Sequence, residues 1–114
     1  MSPENVFKVS SESHSTSVAG AIAKSIRDGH EVVLQAIGAG AVNQAVKAIT
    51  IARGYLVGDN LDIAFVPAFI ELEVEGNERT AVRFYIRQPG QPFPPAAPIG
   101  HAAASSSNNG QNKS

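Results

Sequence analysis

Gly38-Ala39-Gly40-Ala41-Val42-Asn43-Gln44 is the stretch of this 114-residue chain whose residue types and spacing bear most directly on chemistry. Two glycines, one residue apart, separate an apolar, β-branched run (Val32 to Ile37) from a run of helix formers (Ala41 to Ala52). Glycine adopts backbone angles closed to other residues and leaves no side chain in the way of an approaching group. A strand that enters a helix through such a turn aims unpaired helix N–H groups outward, which favours anions. The plainer reading is that the glycines only make the turn. Asn43, Gln44 and Lys47 follow on the helix side expected to face solvent, and Arg53 closes the run. Amides and cations of this kind contact phosphate, sugar or base edges.

Other chemistries fit less well. The glycines match G-x-G-x-x, but Asn43 stands where a dinucleotide fingerprint needs its third glycine. Asp59 and Asp62 precede or open the next strand rather than ending it, and no Gly-Lys-Ser/Thr follows the glycines to make a P-loop. His14, His30 and His101 are scattered, without a second ligand at helical spacing, so no metal site is expected. No nucleophile elbow accompanies the serines. Glu71, Glu73 and Glu75 alternate as a solvated strand face does. The expectation is a protein without enzymatic activity, cofactor or small-molecule substrate.

Composition sets further bounds. The chain is 43% hydrophobic and 17% charged, ordinary for one globular domain with tails. It holds no cysteine, which excludes disulfides, thiolate metal sites and a thiol nucleophile and fits a cytoplasmic setting. No apolar run approaches the ~18 residues of a membrane span, and Met1 to Asn5 lacks the basic start and apolar stretch of a secretory leader. The net charge is −1, and Lys113 is the one charged residue beyond Arg87, so residues 1–87 carry −2. Any positive surface must be local, since nucleic-acid binders are commonly basic overall.

The elements that position the glycine stretch follow from periodicity. Asn5 to Ser10 reads as a first strand. The polar loop after it supplies Ser15 or Ser17 as a helix cap. Val18, Ile22 and Ile26 form one apolar stripe of a first helix, and Gly29 ends it. Glu31 to Ile37 is the second strand, parallel to the first through a right-handed crossover. The second helix spans Gly40 or Ala41 to Arg53, with Val42, Ala45, Val46, Ile49 and Ala52 buried and Gly54 as its stop. Gly58-Asp59-Asn60 makes a turn. Leu61 to Val74 is extended, with Pro67 marking an edge, a bend or a bulge.

Ile70, Leu72 and Val74 face one way and the glutamates the other. In the last strand Thr80, Val82, Phe84 and Ile86 oppose Arg79, Ala81, Arg83, Tyr85 and Arg87. A two-residue loop at Gly76-Asn77 would set the glutamates on the apolar face of the next strand, because a one-residue slip swaps faces. The expectation is therefore an odd, three-residue loop with a bulge, which lets the glutamates oppose Arg79 and Arg83. Beyond Arg87 the composition changes: residues 88–114 hold five of the seven prolines and end in polar low complexity. This tail is expected to be disordered or extended. Pro92-Phe93-Pro94-Pro95 reads as a linker or a polyproline-type docking segment.

With these residues in view, the chain resembles the stage V sporulation protein S (SpoVS) family. The resemblance rests on Lys8-Val9-Ser10, Ser17 to Ala21, the run Gln35 to Ala48, Ile51-Ala52-Arg53-Gly54, Pro67-Ala68-Phe69 and Glu78-Arg79-Thr80-Ala81. It covers about residues 6–87. It implies an Alba-like α+β fold, related to the C-terminal domain of translation initiation factor three. That fold is a two-layer β-α-β-α-β-β sandwich, a four-stranded mixed sheet with two helices on one face. Such domains are small, usually dimeric, and many bind DNA or RNA; the family is associated with spore development. Alba proteins carry basic residues where this chain has Ala36, Gly38, Gly40 and Gln44.

The resulting expectation is a cytoplasmic, nucleic-acid-binding regulator in residues 1–87. It would bind through Gly38, Gly40, Asn43, Gln44, Lys47, Arg53, Arg79 and Arg83. Val18, Ile22, Ile26, Val42, Val46 and Ile49 should be buried between helices and sheet. Helix two with Leu56, Phe65 and Phe69 should offer apolar surface for a homodimer or higher oligomer. The alternative is an assembly module that kept the fold without the nucleic acid.

Overall fold

A computed structural model describes residues 4–95. The chain runs β1 (Glu4–Val9), α1 (Ser15–Arg27), β2 (Glu31–Ala36), α2 (Ala39–Tyr55), a 3-10 turn (Val57–Asp59), β3 (Ala64–Val74) and β4 (Asn77–Arg87). The four strands form one sheet in the order β1-β2-β4-β3, with β1 and β2 parallel and the other pairs antiparallel. Ile22 and Ile26 of α1 and Ala45 and Ile49 of α2 share one core with Val9, Val32, Leu34, Phe84 and Ile86. Those strand residues all lie on one face of the sheet, so both helices cover that face and leave the other without a helix. Among the described residues no helix is long and apolar enough to cross a membrane.

The buried stripe of α2 differs from the expected one. Ala41, Ala45, Ala48, Ile49 and Ala52 are buried, whereas Val46 is 40% exposed and Val42 is half-buried. Val18 of α1 is half-buried as well. The reason is the packing of α1 along α2. Ala19 and Ala23 on one helix and the alanines on the other are small enough for a close approach, so the valines are turned toward the rim. Gly54 does not stop α2; it lies within the helix, which continues to Tyr55. The helix is closed instead by Leu56, fully buried, and by the 3-10 turn that ends at left-handed Asn60. Leu56 is therefore core and not docking surface. Arg27 fastens this connection, donating to Asp59 at 2.7 Å and to the Tyr55 carbonyl at 3.1 Å. β3 begins at Ala64 rather than Leu61 and lies at the sheet edge, where Pro67 breaks no ladder.

The β3–β4 hairpin overturns the expected odd loop. Val74 pairs with Asn77, so the loop is the two residues Glu75 and Gly76, both with positive φ, at 52° and 80°. That is the primed turn matched to the twist of a hairpin. Glu71 therefore opposes Thr80 and Glu73 opposes Glu78, on the same face as Val82, Phe84 and Ile86. The glutamates do not oppose Arg79 and Arg83, which sit across from Leu72 and Ala68. The assumption that failed was that the helix side of β3 must be apolar. β3 lies beyond β4 at the sheet margin, and Phe65 and Phe69 on its helix side are 37% and 49% exposed.

β2 pairs with β4 only as far as Ala36 opposite Val82. Residues 70–81 therefore project past the end of β2 as a two-stranded arm. At the opposite end of the sheet Arg87, 4% exposed, lies 3.1 Å from Glu4 and 3.3 Å from Glu31 and donates to the Val32 carbonyl. One guanidinium so ties β1, β2 and β4 on the helix-free face.

Candidate nucleic-acid interface

Because β1 and β2 are parallel and each leads into a helix, both helix N-termini open at the same end of the sheet. This is also the end from which the arm projects. Neither terminus is closed by a side chain. α1 begins after His14 and α2 after Gly38, each without a side-chain cap and without an acidic residue in its first turn. The expected cap at Ser15 or Ser17 does not form; both residues lie inside α1. Ser13, just before it, is engaged in the loop, accepting from the Ser10 N–H at 2.9 Å. The first helical N–H groups of α1 and α2 are thus left without a side-chain acceptor, at the positive ends of both helix dipoles.

Gly38 holds the turn at φ 92° and ψ 158°, a region essentially reserved for glycine. Gly40 sits in the first turn of α2, where a Cβ would come within 2.8 Å of Ser11 Cβ. The two β-to-α turns therefore touch. Gln44 strengthens this contact by donating to the Ser13 carbonyl at 2.6 Å. That bond makes Gln44 half-buried and fixes its amide in the loop, whereas Asn43 and Lys47 remain exposed beside it.

The remaining expected site residues are distributed otherwise. Arg53 lies ten residues beyond Asn43 on α2, about 15 Å along the axis. It makes a two-pronged contact with Asp62, at 2.7 and 3.2 Å. The Asp62 carboxyl is held below its ordinary range by the Arg53 hydrogen bond and the Ile63 N–H, and the Arg53 guanidinium is raised in turn. Arg79 is exposed on the arm. Arg83 is half-buried on the helix-free face and donates to Gln35 at 2.9 Å; the glutamates expected to oppose it are on the other face. The structure thus gathers Gly38, Gly40, Asn43 and Gln44 at one end, brings Arg79 to that end, and sets Lys47 at the middle of α2. Arg53 is elsewhere, and Arg83 lies on the helix-free face.

Sequence reasoning overlooked the N-terminus of α1 and its Ser10–Ser13 approach as part of this end. The available signal was the parallel β-α-β unit itself, which must bring successive helix starts together. Asp59 and Asp62 are ion-pair partners of Arg27 and Arg53. Among the described residues no group of three or more His, Asp or Glu is placed to hold a metal.

Residues 5–89 match the family described as stage V sporulation protein S (SpoVS). The chain belongs to the SpoVS family. Its fold is Alba-like: Alba from Thermoplasma volcanium aligns with a TM-score of 0.50 at 15% identity, covering 72% of this chain and 95% of that one. At that identity the likeness speaks for the architecture alone. That architecture is the one expected from the sequence, with four strands in a mixed sheet and both helices on one side. The two-residue hairpin loop and the uncapped helix starts are features of this SpoVS chain's own residues.

Proposed function

We propose that this SpoVS protein is a cytoplasmic, non-enzymatic regulator that binds the backbone of DNA or RNA at the end of the sheet where both helices begin. The observation that carries this reading is the convergence of two uncapped helix N-termini with the projecting arm. Unpaired N–H groups attract phosphate oxygens even where few cations are present. Lys47 and Arg79 add positive charge at either side, Arg83 extends it onto the helix-free face, and Asn43 supplies an amide for sugar or base. The low net charge makes the affinity modest and strongly dependent on salt. The protein acts as a dimer or higher oligomer, joined through the exposed helix side of β3.

A second reading has its own observation. Glu71, Glu73 and Glu78 share the helix-side face of the arm, which gives that face acidic character. An assembly module that binds protein and not nucleic acid would tolerate this better. Titration of the full chain with single- and double-stranded DNA and RNA at several salt concentrations decides between them. Binding that weakens linearly with log salt supports the first reading. No binding of any of the four at low salt leaves the assembly module.

A further inference from the structure

After β4 the chain turns back on itself. The Gln91 N–H donates to the Gln88 carbonyl at 3.0 Å, and Gly90 has φ 92°. The reversal brings Phe93, Pro94 and Pro95 to one wall of a cleft whose other wall is β3 from Val66 to Ile70 together with Tyr85. Phe93 is half-buried there, while Pro94 and Pro95 are exposed. Val66, Ala68, Ile70 and Tyr85 are all on the helix-free face and all half-buried. About 430 Å³ of the cleft remains open between its walls, so the segment is seated without filling the surface. Ala68, in the middle of the β3 wall, is the cross-strand neighbour of Arg83, and Arg79 lies four residues farther along β4.

We propose that Pro92-Phe93-Pro94-Pro95 is a displaceable strap. It docks in cis on the β3–Tyr85 surface and hinders access to Arg83 on the helix-free face. Three properties fit it for this. A proline-rich segment is already extended, so docking it orders few new bonds. Phe93 provides one aromatic anchor at an apolar wall that carries a tyrosine. The short link from Arg87 supplies an effective concentration in the millimolar range, which keeps a weak contact closed yet lets a competitor open it. The effect on nucleic acid rests on the function proposed above; the docking itself does not.

The test uses the full chain, its Phe93→Ala and Ile70→Ser variants, and a free peptide with the sequence of residues 89–98. In the parent, nuclear Overhauser contacts join the Phe93 ring to the Ile70 methyl groups or the Tyr85 ring. They persist within one molecule when labelled and unlabelled protein are mixed. The peptide binds Phe93→Ala at least ~10-fold more tightly than it binds the parent, whose surface is already filled. It fails to bind Ile70→Ser, which alters the other wall. Contacts found only between molecules, or equal peptide affinity for parent and Phe93→Ala, overturn the strap. Phe93→Ala also binds DNA or RNA ~3-fold or more tightly than the parent, because the open fraction rises. A strap confirmed by the peptide with unchanged nucleic-acid affinity overturns its masking role. Failure of every form to bind nucleic acid at low salt is instead a failure of the binding reading, since the peptide arm still reports on the strap.

Discussion

A methyl group added to Gly40 would lie 2.8 Å from the Cβ of Ser11, closer than packed carbon atoms approach. The contact joins the first turn of α2 to the loop that leads into α1, and the Gln44 bond to Ser13 lies beside it. Gly40→Ala should therefore displace the Ser10–Ser13 loop and destabilise the protein by about 1–3 kcal/mol, the usual cost of overpacking. Gly38→Ala should cost a similar ~1–3 kcal/mol for a different reason, its positive φ. Denaturant midpoints measure both. Amide shifts in residues 10–14 separate them, moving more for Gly40→Ala. A stable Gly40→Ala with an unmoved loop would contradict the close approach.

The same contact makes Gly40 a poor place to probe charge, because any side chain there acts first through packing. Asn43 and Lys47 are exposed and serve better. Asn43→Asp places a negative charge beside the start of α2 and should weaken nucleic-acid binding across all sequences. Lys47→Ala should do the same and lower the salt slope by about one unit. Arg53→Ala, far along the helix and committed to Asp62, should leave binding unchanged. Equal binding by all three variants would remove this end of the sheet from the interface.

Much of the fold was legible because periodicity reports burial. The parallel β-α-β unit, both helices and the alternation in β3 and β4 follow from the spacing of apolar residues, and the glycine turn from Gly38. Gly54 misled because a glycine within a helix costs little when Leu56 just beyond it is fully buried. The hairpin register misled because alternation tells which residues share a face and not which face meets the helices. That choice depends on β3 lying at the sheet edge, a long-range property absent from its own sequence. The candidate site was legible as the glycine stretch. The role of Gln44 was not, because it depends on a bond to a residue 31 positions away.

Arg87 shows how a charged residue can be hidden in such a pattern. Alternation places it on the outward face of β4, yet it is among the most buried polar side chains. Its guanidinium serves Glu4, Glu31 and the Val32 carbonyl. Arg87→Met keeps most of the packing and removes the guanidinium's hydrogen bonds and its ion pairs, so it should cost about 1–3 kcal/mol. Urea unfolding measures the loss. Glu4→Gln, whose carboxylate is 43% exposed, should cost less. Wild-type stability in Arg87→Met would mean that the buried guanidinium is offset by its own desolvation.

The Arg53–Asp62 pair gives a pH signature. Asp62 is held below its ordinary carboxylate range in the folded protein, chiefly by the Arg53 hydrogen bond. A depressed folded value stabilises at pH above the unfolded value and is lost as pH falls through the folded one. Asp62→Asn should therefore be less stable than the parent near neutrality, and the difference should vanish in strong acid. The pair is exposed, so the effect is small and weakens further with added salt. A difference that grows on acidification would reverse the assigned direction.

Association is the remaining consequence of β3 at the sheet edge. Its helix side presents Phe69 at 49% and Phe65 at 37% exposure, with Pro67 between them. Soluble monomers rarely leave such residues uncovered together, and a second copy of the same surface would bury them symmetrically. The two phenylalanines are not equivalent. Phe65 packs edge-on against Phe84 at 5.3 Å between ring centres, and Phe84 is 3% exposed in the core. Phe65→Ser should therefore lower both stability and association, whereas Phe69→Ser should lower association with little change in unfolding midpoint. Sedimentation at tens of micromolar, roughly the range in which a standard-size interface holds, should show a dimer or larger for the parent and monomer for Phe69→Ser. A parent that sediments only as monomer at that concentration would leave this surface for a different partner. A Phe69→Ser protein that still dimerises would move the interface away from β3.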